Sequence, residues 1–178
     1  MKEDYLEILK RTGQEEAGKL LALNPRTEDY GLTLSEAEAA QLMAARTEAL
    51  FHHQRVEFGE SVLPRIVYAF CDSQYIDRER YVETLMALQD LFYRFKNASE
   101  DRLTDDELIA FMREQFDGVC FGSLDYLAST CLERFARAIR AGYDGYQRTE
   151  GRGEYEQFSE ETRWEKEVYD AMLRELIF

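Results

Sequence analysis

Residues 77–96 read DRERYVETLMALQDLFYRFK, and this stretch decides the fold class. Tyr81, Leu85, Leu88, Phe92 and Phe95 recur at three- and four-residue spacing, and Val82, Met86 and Leu91 widen the stripe. That spacing lays large apolar side chains along one face of an α-helix, whereas a half-buried strand would alternate. A stripe this broad marks a central helix, with Asp77 as its expected cap and Lys96 near its end.

The same signature repeats outward in both directions. Downstream, Thr104-Asp105-Asp106-Glu107 has the form of a capping box, opening a helix to Phe116 with Leu108, Ile109 and Met112 inward and Gly118 as its stop. Ser123 then opens the most regular helix of the chain, with Leu124, Leu127, Ala128, Cys131, Leu132, Phe135 and Ile139 on one face, up to Gly142. Upstream, Ser61 to Cys71 is apolar nearly all round and reads as a buried helix, with Pro64 tolerated in its first turn. Ser35 and Glu38 form a second capping box, starting a helix to about Arg55 whose expected inward stripe is Ala40, Met43, Ala44, Thr47, Leu50 and Phe51. A helix around Tyr5, Leu6, Ile8 and Leu9, weakened by Gly13 and Gly18, is stopped by Asn24-Pro25, and Arg26 to Leu32 is expected to be a loop.

No strand pattern competes, so the expected architecture is all-α, a compact multi-helix bundle of about six or seven helices in a single domain. Its parts are an N-terminal helical segment (1–25), a helical core (33–142), a Gly- and Tyr-rich connection (143–158) and a C-terminal amphipathic helix (159–178). The last helix carries Trp164, Val168, Met172 and Leu176, a stripe that must be buried either back on its own domain, the favoured outcome, or on another subunit.

The chain has 178 residues, 45% of them apolar, and a formal net charge of -14. That content supports a packed core, while the charge repels nucleic-acid phosphates and anionic membranes. Cys71, Cys120 and Cys131 form no C-x-x-C pair and read as reduced core residues of a reducing compartment. The N-terminus is charged from Lys2 and Glu3, and no apolar run reaches the length of a membrane span, so a cytoplasmic location is expected.

Signatures of chemistry are sparse. His52 and His53 have no H-E-x-x-H or Cys/His company and sit where a helix ends, so neither a metal nor any other cofactor is expected. Lys96 to Glu107 echoes the end of a calcium loop but begins with a lysine where calcium needs a carboxylate. The turn between Phe116 and Leu124 could join a helix-turn-helix, but Asp125 stands where a recognition helix needs donors. Phosphate-binding loops and nucleophile elbows are missing as motifs.

The run Arg55 to Pro64, continued by Ile66 to Tyr75, resembles an uncharacterised family of small helical bacterial proteins, a domain of unknown function found mainly in anaerobic Gram-positive species. Leu103 to Phe111 and Phe116 to Arg137 carry the same resemblance, which spans Leu32 to Tyr146. It implies a bacterial origin and no mechanism.

Three functional readings remain. The first is a protein-interaction module, binding an unknown protein partner or itself through Tyr143, Tyr146, Tyr155 and Trp164, since aromatic side chains anchor interfaces. The second is a small-molecule binder or enzyme with an acidic cleft built from Glu57, Glu60, Asp72 and Tyr75. The third is an acidic nucleic-acid mimic, requiring a regular stripe of carboxylates.

Overall fold

Both capping boxes close. Ser35 Oγ accepts from the Glu38 backbone N–H at 3.1 Å while Glu38 Oε2 accepts from the Ser35 N–H at 2.8 Å, and helix α3 (Glu36–His52) starts there. Thr104 and Glu107 make the same exchange at 3.3 and 2.7 Å at the start of α6 (Asp105–Asp117). Each pair satisfies two backbone donors that a helix end otherwise leaves open. The computed structural model describes residues 2–57, 60–142 and 172, and every regular element among them is helical. The remaining elements are α1 (Lys2–Leu21), a single turn α2 (Asn24–Thr27), α4 (Leu63–Phe70), α5 (Tyr81–Ala98), and a last rod made of α7 (Leu124–Tyr126) and α8 (Leu132–Arg140) around a π-helical segment Leu127–Cys131.

Helix α5 is the hub, touching α3 on one side and α4, α6 and α8 on the other, while α1 lies across α3 and α4. Its apolar stripe is buried as expected: Tyr81, Leu85, Leu88, Leu91, Phe92 and Phe95 are each at most 3% exposed. Phe95, Phe111 of α6 and Phe135 of α8 form a three-ring cluster with centroids 5.0 to 6.1 Å apart. Phe70 of α4 and Tyr75 meet Phe116 edge-on at 5.6 and 6.2 Å. In the turn after α6, Gly122 has φ +76, and a Cβ there would lie 2.4 Å from that of Tyr75, so only glycine lets the turn and the ring approach.

Four local expectations need correction. The segment after Leu21 is not a plain loop: Pro25 sits in the first turn of α2, where its missing N–H costs nothing, and a 3₁₀ turn follows over Glu28–Tyr30. The Asn24 side chain holds this turn by bonding both the N–H and the carbonyl of Leu34 at 2.8 Å. Asp77 does not cap α5; it accepts from the Glu79 N–H at 2.9 Å in a turn, and the helix begins at Tyr81. The inward face of α3 is rotated from the expected one, with Ala39, Leu42 and Ala49 buried and Phe51 87% exposed. Finally, the helix after Ser123 is not uniform. Leu127, Cys131, Phe135 and Ile139 repeat every four residues, which drifts by about 40° per step in an α-helix, and a wider π turn brings them back toward one face.

The 143–158 connection, the 159–178 helix, and with them Tyr143, Tyr146, Tyr155 and Trp164, lie outside the described residues, except for Met172. That residue is helical and half-buried against the core. No helix among the described residues is long and apolar enough to cross a membrane.

Candidate functional site

The face of α5 opposite the aromatic cluster is polar. Asp90, Tyr93 and Asn97 follow one another at helical spacing, with Asp101 just beyond the helix end, and each engages the chain leaving α3. Asp90 Oδ1 lies 2.7 Å from His53 Nε2, Asn97 Nδ2 donates to the His53 carbonyl at 3.2 Å, and Arg55 bonds Asn97 at 2.7 Å and Asp101 at 3.0 Å. Tyr93, 1% exposed, donates its hydroxyl proton to Glu57 Oε1. Arg46 of α3 puts Nη2 and Nε on Glu57 Oε2 at 2.7 and 2.9 Å, so the two carboxylate oxygens serve different partners. Burial, reinforced by Glu57, pushes the Tyr93 pKa up and keeps its proton in place.

These ties fix the end of α3 against α5 and shape an open groove of about 410 Å³ between the two helices. Ala45, Ala49, Phe51 and Met86 supply its apolar surface, and Glu48, His52 and Asp90 its rim. Phe51 stands out from an ordered helix, and Val56, 70% exposed, follows it where the chain has turned. A second groove, of about 420 Å³, is lined by Leu23, Pro64, Tyr68 and Ile109, with Arg65 and Asp106 joined across it at 3.3 Å.

The four residues expected in one acidic cleft fall into three places. Glu57 belongs to the α3–α5 seam just described. Glu60 is exposed, 3.7 Å from Lys19 of α1. Asp72 and Tyr75 share the end of α6: Arg113 reaches Asp72 at 2.5 Å, Asp117 at 2.6 Å and the Ala69 carbonyl, while Ser73 donates to Asp117 at 2.6 Å and Tyr75 packs on Phe116. The hydrogen bond from Arg113 holds the Asp72 carboxyl below its usual range. Arg113 thereby ties the last turn of α4 to α6, a positioning role for these carboxylates.

Among the described residues no group of three His, Cys, Asp or Glu side chains is placed to hold a metal ion. Single-sequence reading missed the roles of Arg46, Asp90, Tyr93 and Asn97. Their signal was present as polar residues recurring at helical spacing beside an apolar stripe.

A family model matches residues 19–145, the span that contains the groove, the seam and the whole α5 core. The chain belongs to DUF6323. This is a family of unknown function, and no curated protein and no solved structure matches the chain. The DUF6323 match starts earlier than the expected Leu32, and the packing explains the difference. Leu20 is fully buried and Lys19 bridges Glu16 and Glu60, so the end of α1 is part of the core of this chain.

Proposed function

We propose that the protein is a cytoplasmic helical interaction module whose docking face is the α3–α5 groove around Phe51. The observation that carries this reading is the 87% exposure of Phe51 on a helix whose end is tied down at His53, Arg55 and Glu57. An aromatic side chain held out on a rigid support is preorganised to enter a partner's pocket at little entropic cost. The acidic rim of Glu48 and Asp90, in a chain of net charge -14, favours a partner with a basic border around an apolar socket. In this proposal Tyr143, within the matched span, and Tyr146, Tyr155 and Trp164, which follow it in sequence, contribute further aromatic contacts to the partner.

Several described carboxylates are drawn into ion pairs with Arg46, Arg55, Arg65, Lys96 and Arg113, which favours interaction through the apolar groove over mimicry by an acidic stripe. The test is Phe51→Asp in the full-length protein, followed by size-exclusion chromatography in a lysate of the native host. The wild type should elute well above its own 20.9 kDa, in complex or self-associated, and the variant at its own size. Identical elution of the two removes the groove from the proposal.

A further inference from the structure

Cys120 sits in the tight turn after α6, and Cys131 is the last residue of the π-helical segment. Their sulfurs are 3.4 Å apart, with both side chains buried. The turn that carries Cys120 is held by backbone bonds from Cys120 to Gln115 at 3.0 Å, Gly122 to Phe116 at 2.8 Å and Ser123 to Cys120 at 2.9 Å. Phe121, flanking it, takes the left-handed φ of 48° and stands 74% exposed beside the 55%-exposed Val119. Cys120 therefore lies directly beneath the surface, facing a second thiol.

We propose that Cys120 and Cys131 form a peroxide-responsive dithiol, which a hydroperoxide converts into an intramolecular disulfide pinning the α6–α7 turn to the last helix. The sulfurs need to close from 3.4 Å to about 2.05 Å, and in this proposal rotation of the two side chains brings them together. The hydrogen bond shared with Cys120, aided by Arg134, lowers the Cys131 pKa against the opposing effect of burial, which makes Cys131 the thiol to attack first. In that step a sulfur–oxygen bond forms, the peroxide O–O bond breaks, and the departing hydroxide or alkoxide takes up a proton. Cys120 then attacks the sulfenic sulfur; the S–S bond forms, the S–O bond breaks, and water leaves with the Cys120 proton. Two thiols are oxidised and one hydroperoxide is reduced to two waters, or to water and an alcohol. Hydrogen peroxide is little larger than water, which suits a pair just under the surface.

Cys71 is an internal control. It is buried, its thiol donates to the Tyr68 carbonyl at 3.3 Å, and burial pushes its pKa up. Cleavage after arginine and lysine places Cys120 and Cys131 together in the peptide 114–134 and Cys71 alone in 66–78. The experiment exposes the reduced, native full-length protein to hydrogen peroxide, then denatures, alkylates and digests it for mass spectrometry. Peptide 114–134 should lose about 2 Da and escape alkylation at least about ten-fold faster than Cys71 is modified, and dithiothreitol should restore both thiols. In Cys120→Ser the same peptide should carry a sulfenic acid at Cys131, trapped by dimedone. Two alkylated thiols in 114–134 after Cys71 has reacted, or direct passage of the wild-type pair to sulfinic acid, would overturn the proposal.

Discussion

Helix α5 meets two environments of opposite character. Toward α6 and α8 it presents Leu88, Phe92 and Phe95 to an aromatic cluster in which no polar group needs a partner. Toward α3 it presents Asp90, Tyr93 and Asn97, and the contact is made of directional hydrogen bonds. The first face is held by burial, which is non-directional and proportional to area; the second depends on geometry, since each group must find its partner or remain desolvated. The apolar face therefore sets how stable the bundle is. The polar face sets where the end of α3 lies, and so the shape of the groove beside Phe51.

Substitutions on the two faces should separate these roles. Phe135→Ala, which empties a fully buried position between Phe95 and Phe111, should cost about 3–5 kcal/mol in urea unfolding, and a cost near 1 would mean the cluster is loosely packed. On the polar face Glu57→Ala leaves Arg46 and Tyr93 without their acceptor and should cost about 2 kcal/mol, less than a fully buried pair because both charged side chains keep some exposure. The triple change Arg46→Met, Glu57→Leu and Tyr93→Phe, which strands none of the three groups, should recover most of that loss; failure to recover would show that the buried network contributes net stability rather than position.

The two buried tyrosines of α5 give a finer contrast. Tyr93→Phe removes the donor to Glu57 and should cost about 1 kcal/mol, whereas Tyr81→Phe should change stability by less than about 0.5 kcal/mol, because the Tyr81 hydroxyl has no partner among the described residues. Burial raises the Tyr81 pKa to about 12 from an ordinary 10.0. A raised folded value means that its contribution is intact below pH 10 and is lost as pH rises toward 12, so the wild type should weaken over that window and Tyr81→Phe should weaken less. Smallest of all should be Gln89→Met. Both amide atoms of Gln89 are buried without partners among the described residues, and an apolar replacement of similar shape should be neutral or stabilising by no more than about 0.3 kcal/mol. A clear destabilisation would mean that the amide is satisfied.

The contrast also explains what the sequence disclosed. The α5 stripe, the two capping boxes and the buried α4 were legible because large apolar residues and Ser/Thr-x-x-Glu spacings act locally. Helix α3 was misread because alanines dominate it and give little contrast between faces, while Arg46 and His53 turn inward only because Glu57 and Asp90 await them across the seam. Glu57 was expected to line an acidic cleft with Glu60, Asp72 and Tyr75; its actual partners are 11 and 36 positions away in the chain, and no local pattern encodes such a meeting. The same holds for Asp72, whose partner Arg113 lies 41 positions on. The closeness of Cys120 and Cys131 was hidden because their spacing matches no cysteine motif and arises from how the turn meets the π segment.

The groove is the central functional claim, and photo-crosslinking tests it most directly. A benzophenone amino acid placed at position 51, with position 133 on the exposed side of α8 as control, is irradiated in the living host. The account predicts a discrete crosslinked product, to a partner or to a second copy, from position 51 and none from 133. Products of equal yield from both positions, or none from 51, would contradict it.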